Sequence, residues 1–202
     1  MTQGSDKGAE DLARLLDSAA EANRTTLEAT LAALRPQIIE YGRLVAETLS
    51  SGKKLLACGN GGSAAEAQHL VAEMVGRFHT DRRPLAAMAL TTDTSVLTAV
   101  GNDYGFRDVF ARQVRALAGP GDALLLISTS GNSESILAAA TCGREIGTVN
   151  IALTGRSGGK LAALVDLALR VPSDVTPRIQ EAHLLIDHCV CEIVERLLGF
   201  TS

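Results

Sequence analysis

Residues able to do chemistry concentrate first in Asp122-Ala-Leu-Leu-Leu-Ile-Ser-Thr-Ser-Gly-Asn-Ser133, which leads into the helix-like Glu134–Ala140. An apolar run of strand length ends in Ser128, Thr129 and Ser130, turns at Gly131 and Asn132, and enters a helix at Ser133. Four hydroxyls and free backbone N–H groups at one helix N-terminus make a site for an anion, which the helix dipole favours. The loop holds no Lys or Arg, so its donors are neutral. That suits the phosphate of a small metabolite, with a sugar phosphate as the first expectation.

A second glycine-rich turn, Gly59-Asn60-Gly61-Gly62-Ser63, opens another helix, with Ser63 the expected cap. Gly59-x-Gly61-x-x-Ala64 also fits the loose dinucleotide fingerprint. The nearest acid beyond the next strand, Asp93, lies well past the usual spacing of about 20 residues, which counts against that reading. His69 and Glu73 stand four apart on this helix and share a face. They are either a surface pair without chemistry or a pair of metal ligands, or one ligand and a general base. The last helix carries Arg178-Ile-Gln-Glu-Ala-His-Leu-Leu-Ile-Asp-His188. On it Glu181 and His188 share a face, while Gln180 lies about 80° round from His188. Periodicity therefore ranks Glu181 above Gln180 as the partner of His188.

The elements that must position these groups follow from hydrophobic period. Short apolar strands are predicted at 54–58, 85–90, 123–127, 149–153 and 166–171. Helical segments fall at about 63–77, 94–117 (broken around Gly101–Gly105), 133–146, 159–164 and 177–198. Apolar strands alternating with helices indicate an α/β fold, a doubly wound parallel sheet with helices on both faces. Ligands of such sheets bind outside the carboxyl ends of the strands, where both glycine-rich turns lie. Ahead of the sheet, residues 1–9 read as a disordered leader. A helical stripe from Asp11 to Leu34 follows, interrupted by Pro36, and a second helix runs from about 37 to 49. Residues 1–50 thus form a leader with a helical arm and 51–202 the site-bearing domain. The arm either builds an oligomer interface or packs on its own domain.

Composition narrows the classes. The chain has 202 residues, 46% of them hydrophobic and only 3% aromatic, and a formal net charge of −4. One domain with a full core fits that length, and neither the charge nor the aromatic content suits a nucleic-acid surface. No apolar run is long enough to span a bilayer and no signal-peptide pattern opens the chain, so a cytoplasmic location is expected. Cys58, Cys142, Cys189 and Cys191 form no C-x-x-C pair and read as buried reduced thiols.

Taken together, Gly59–Ser63, His69 with Glu73, Gly101-Asn-Asp103, Ser128–Ser133 and Arg178–His183 with His188 resemble the phosphoheptose isomerases of the sugar-isomerase (SIS) fold. The resemblance spans about residues 40–198. It implies a five-stranded parallel sheet flanked by helices, and a homotetramer with active sites between subunits. It further implies that Ser128, Thr129, Ser130 and Ser133 hold the sugar phosphate and that Asn60, Gly61, Gly62, Asn102 and Asp103 contact the substrate chain. Glu73 and His188 become the proton-transfer pair. His69, Glu73, Gln180 and His188 become ligands of one zinc ion per subunit in members that bind the metal, which sets Gln180 above Glu181. The implied activity is a ketose–aldose isomerisation of sedoheptulose 7-phosphate through an enediol or enediolate, within heptose biosynthesis. The resemblance assigns no role to the stretch Ser173–Pro177. A rival within the fold is a non-catalytic regulator that binds the bacterial replication initiator. Such regulators lack the acid that this chain has at Glu73.

Overall fold

The computed structural model describes residues 3–200, with side chains from residue 10 onward. Helix α1 (Gln3–Ser50) leads into strand β1 (Leu55–Gly59), α2 (Gly62–Val75) and β2 (Ala87–Ala89). Next come α3 (Thr94–Tyr104), a 3-10 turn (Phe106–Asp108), α4 (Ala111–Leu117) and β3 (Ala123–Ser128). The chain continues through α5 (Glu134–Ile146), β4 (Val149–Thr154), a 3-10 turn (Leu161–Ala163), β5 (Leu167–Arg170) and α6 (Thr176–Leu197).

The five strands form one parallel sheet in the order β2-β1-β3-β4-β5. Alternate residues of each strand feed opposite cores, as the two-residue period of a strand requires. Leu55, Ala57, Leu125, Ile127, Ile151 and Leu153 pack with α1, α2 and α6 on one face. Leu56, Cys58, Leu124, Leu126 and Ala152 pack with α4 and α5 on the other. Both faces are covered, so the central strands read as continuous apolar runs, β1 and β3 being buried at every residue. From β1 the chain steps outward to β2, then crosses back to β3 on the far side. The switch point therefore lies between the carboxyl ends of β1 and β3, where both glycine-rich turns emerge.

Two expectations about the N-terminus are corrected. The segment expected as a disordered leader is helical from Gln3, continuing α1 through Gly4 and Gly8 with no proline to end it; residues 1–2 lie outside the described residues. The expected interruption at Pro36 is absent, and α1 runs through it as one helix of 48 residues. Pro36 is exposed, while Leu34, Ile38, Tyr41, Val45 and Leu49 are buried in the core shared with α6. Packing on both sides of the proline holds the helix together across its missing hydrogen bond. Towards the other end, Leu12, Leu15 and Leu16 stay about two-thirds exposed. Cys58, Cys142 and Cys191 are buried free thiols and Cys189 is half-buried. No helix among the described residues is long and apolar enough to cross a membrane.

Candidate active site

The hydroxyl-rich turn sits at the end of β3, as the pattern requires. Gly131 takes φ +63°, and its backbone packs so closely on Gly158 that a Cβ there would strike the Gly158 carbonyl. The Leu161 N–H closes the same contact by donating to the Gly131 carbonyl at 3.0 Å. Ser133 occupies the N-cap of α5, yet its hydroxyl caps no α5 N–H and instead lies 3.2 Å from Ser128 Oγ. Ser130 Oγ accepts from the Asn132 N–H at 3.1 Å. Hydroxyls that leave the first turn of α5 uncapped keep both themselves and those N–H groups available to an anion.

Thr129 and Ser130 line a cavity of about 270 Å³ together with Arg156, Ser173 and Asp174. From the stretch Ser173–Pro177, to which the sequence assigned nothing, Ser173, Asp174 and Thr176 thus form one wall beside the phosphate turn. A cation also borders this cavity, although none lies in the loop itself. Arg156 is paired there with Asp174 at 2.8 Å and donates to the Pro172 carbonyl. Sequence reading missed it because the residue follows β4, the neighbouring strand, rather than β3.

The first glycine turn approaches the second: Asn60 Nδ2 donates to Ser135 Oγ at 3.0 Å, bridging the switch point. Ser63 is not the cap of α2, which begins one residue earlier, with Gly61 (φ +57°) at the N-cap and Ser63 buried in the first turn. Two consecutive glycines let the chain turn before a side-chain cap is needed. Gly62 has a further role, because a Cβ there would collide with the Gln180 amide.

His69 and Glu73 on α2 meet His188 on α6. His69 Nε2 is 2.9 Å from His188 Nε2 and 3.5 Å from Glu73 Oε1, and the three donor atoms lie within 4.8 Å of one another. Two imidazole nitrogens and a carboxylate at such separations form a donor set that suits zinc. Gln180 borders a cavity of about 390 Å³ with His69, Gly62 and Glu66. Glu181 also reaches its rim, but its carboxylate is engaged by Asn23 and Arg178, each at 2.6 Å. Asn102 and Asp103 stand exposed at the end of α3, and among the described residues their side chains bond only to each other, at 2.7 Å.

Beside the cluster lies a buried polar group of Glu66, Asp187, His183 and Tyr41; the sequence places His183 and Asp187 on one face of the last helix but does not single out Glu66. Glu66 shares its cavity with His69, and burial pushes its carboxyl up to about 8. Asp187 is raised well above the carboxylate range by burial and by Glu66, and Tyr41 donates to it at 3.3 Å. Burial lowers His183, whose Nε2 lies 3.1 Å from the Thr154 carbonyl. The 3.7 Å approach of His183 Nδ1 to Glu66 is therefore a contact between neutral groups near pH 7. Glu66 could have been found in the sequence, since it lies three residues from both Ser63 and His69 on one helix.

A parallel sheet with a hydroxyl turn at its switch point and a carboxylate–imidazole cluster between two packed helices defines the class: a SIS-domain protein. Residues 20–155 match the SIS domain model. A phosphoheptose isomerase of Geobacter sulfurreducens is 55% identical over 177 residues, 88% of this chain and 94% of that protein. One of Geotalea daltonii is 54% identical over 165 residues, 82% of this chain and 86% of that protein. The solved phosphoheptose isomerase of Francisella tularensis superposes with TM-score 0.88 at 43% identity, covering 91% of this chain and 97% of that one. That of Neisseria gonorrhoeae gives 0.85 at 46% identity, covering 92% and 98%. The chain belongs to the phosphoheptose isomerase family and is an isomerase. The rival reading as a regulator of replication initiation gains no support from these relatives.

Proposed function

We propose that this chain interconverts sedoheptulose 7-phosphate and D-glycero-D-manno-heptose 7-phosphate through an enediol or enediolate. The observation that carries the reading is the meeting of Glu73 with His188 where α2 and α6 pack, on a chain whose hydroxyl turn opens at the switch point. In the ketose-to-aldose direction Glu73 removes the proton from C1 and, after exchange with solvent, delivers a proton to C2, while His188 exchanges a proton with the carbonyl oxygen. Ser128, Thr129, Ser130 and Ser133 hold the phosphate as a remote anchor, and Asn60, Gly61 and Gly62 contact the sugar chain.

His69, Glu73, Gln180 and His188 would hold one zinc ion per subunit, which when bound supplies a Lewis acid for the sugar oxygens. A carboxylate committed to a metal is a weaker base, so Glu73 divides between the two roles. Asn102 and Asp103 reach the site of a neighbouring subunit within a homotetramer, which accounts for their exposure here. The cytoplasm, where a sugar phosphate of this kind would be met, is the proposed location.

The test is incubation with sedoheptulose 7-phosphate in deuterated water. An aldose product labelled at C2 supports the reading, and neither product nor exchange overturns it. For the metal, activity lost on verified chelation and restored by zinc is the expected result. Full activity in metal-free protein would remove zinc from the proposal.

A further inference from the structure

Helix α2 ends at Val75, two residues beyond Glu73, and the carbonyls of its last turn have no partners within the helix. Arg82 supplies them: its Nη2 donates to the Glu73 carbonyl at 2.8 Å and its Nη1 to the Met74 carbonyl at 2.9 Å. The third guanidinium nitrogen, Nε, donates to Glu195 at 2.8 Å. Glu195 lies on α6, two turns beyond His188. Its carboxylate also accepts the backbone N–H groups of Phe78, His79 and Thr80, each at 3.2 Å. The segment after α2 is thus wrapped around one carboxylate. The Phe78 ring that this places stacks on His188, with centroids 5.5 Å apart and planes 29° from parallel.

Both members of the ion pair are sealed from solvent, their side chains 1% and 3% exposed, and the Phe200 ring lies 5.9 Å from the Arg82 guanidinium. Burial alone would raise the Glu195 carboxyl, but the bonds from Arg82 and the three amides hold it below its ordinary value, so it remains a carboxylate. A buried ion pair is a poor device for stability, because desolvation offsets most of its attraction. What this pair does have is reach: one guanidinium touches the backbone of Glu73, and one carboxylate holds the loop whose ring packs on His188.

We propose that Arg82, Glu195 and Phe78 are positioning residues that fix the Glu73 carboxylate and the His188 imidazole relative to each other. The assignment rests on the reading of Glu73 and His188 as the proton-transfer pair. Without Phe78 the imidazole loses the face against which it is packed. Without the ion pair, the end of α2 and the loop lose their common anchor on α6. Neither the phosphate turn nor Asn60, Gly61 and Gly62 bonds to Arg82 or Glu195, so the proposed substrate contacts are separate from these groups.

The experiment compares Phe78→Ala, Phe78→Tyr and Glu195→Gln with the unaltered chain, measuring kcat, KM and the dissociation constant for sedoheptulose 7-phosphate. Phe78→Ala is expected to lower kcat by about tenfold or more while KM and substrate affinity stay within about twofold. Phe78→Tyr keeps the ring and should return kcat to within about twofold of the unaltered chain. Glu195→Gln should lower kcat in the same way; if it does not fold, Phe78→Ala carries the test on its own. Unchanged kcat in Phe78→Ala overturns the proposal. So does a loss that tyrosine fails to restore, or one confined to KM and melting temperature. Failure of the underlying reading is distinct, since the unaltered chain would then not turn over sedoheptulose 7-phosphate. In that case the His188 imidazole resonances decide: Phe78→Ala must shift and broaden them, and an unmoved His188 signal overturns the positioning role.

Discussion

Glu73 has two claims on it, as a base for a carbon-bound proton and as one donor in a His–Glu–His cluster. Replacing it with Gln keeps the shape and removes the negative charge and the proton-accepting oxygen. Glu73→Gln should lower kcat by about 10²–10⁴ while the substrate dissociation constant changes by less than about threefold, read by turnover and calorimetry. Retained turnover would remove Glu73 from the proton-transfer role. Asp122 is a case of stability rather than catalysis. It stands at the head of β3, 2% exposed, and takes the Lys54 ammonium at 2.6 Å, the Lys54 N–H at 3.0 Å and the Gly119 N–H at 2.7 Å. Burial would raise its carboxyl, yet these bonds outweigh it and hold the group below the ordinary 3.8. Because the folded value is depressed, the stabilisation is complete above the unfolded value and is lost as pH falls from there through the folded one. Asp122→Asn should therefore cost about 2 kcal/mol of unfolding free energy at pH 7, with the gap to the unaltered chain closing below about pH 4. Urea titrations at pH 7 and pH 3 check this, and an equal gap at both would exclude the carboxylate as its source.

At the scale of elements, what was legible depended on how local the signal was. Strands and helices of the sheet carry their period in a few consecutive residues, and each appears within two or three residues of its predicted place. The break after α3 was visible in Gly101–Gly105, and Gly105 at φ +89° is where it falls. The place of Gln180 beside His69 in one cavity was not legible from period alone. Helix geometry favours Glu181 with His188, but Glu181 is engaged by Asn23 of α1 and by Arg178, and the absent side chain of Gly62 leaves room for Gln180. Both facts depend on residues far away in sequence. Pro36 failed for the same reason, since its local meaning as a breaker is overridden by packing of α1 on α6. It still removes one helical hydrogen bond at an exposed position. Pro36→Ala should raise the unfolding free energy by roughly 1–2 kcal/mol, measured by denaturant titration, because alanine restores that bond without disturbing buried packing. A neutral or destabilising result would mean that α1 is bent at Pro36 and that its packing depends on the bend.

For the whole molecule, the proposed homotetramer is what would bring Asn102 and Asp103 to a site built from α2, α6 and the β3 turn. In one chain these two are exposed and bonded to each other, while Leu12, Leu15 and Leu16 of α1 present apolar surface to solvent. The proposed closed symmetric assembly would address both, covering apolar faces and bringing one subunit's α3 to another's site. Glu73→Gln and Asp103→Asn are each expected to be inactive as pure proteins. If every site takes Glu73 from one subunit and Asp103 from another, co-refolding the two variants in equal amounts should restore about a quarter of the unaltered activity. A quarter of the sites then receive both native residues by chance. If each chain supplies its own Asp103, no site in the mixture is complete and activity stays at the level of the pure variants. Light scattering on the same samples should give four times the mass of one chain. A monomer, or a mixture without recovered activity, would exclude a site shared between subunits, and full activity of pure Asp103→Asn would remove Asp103 from the site.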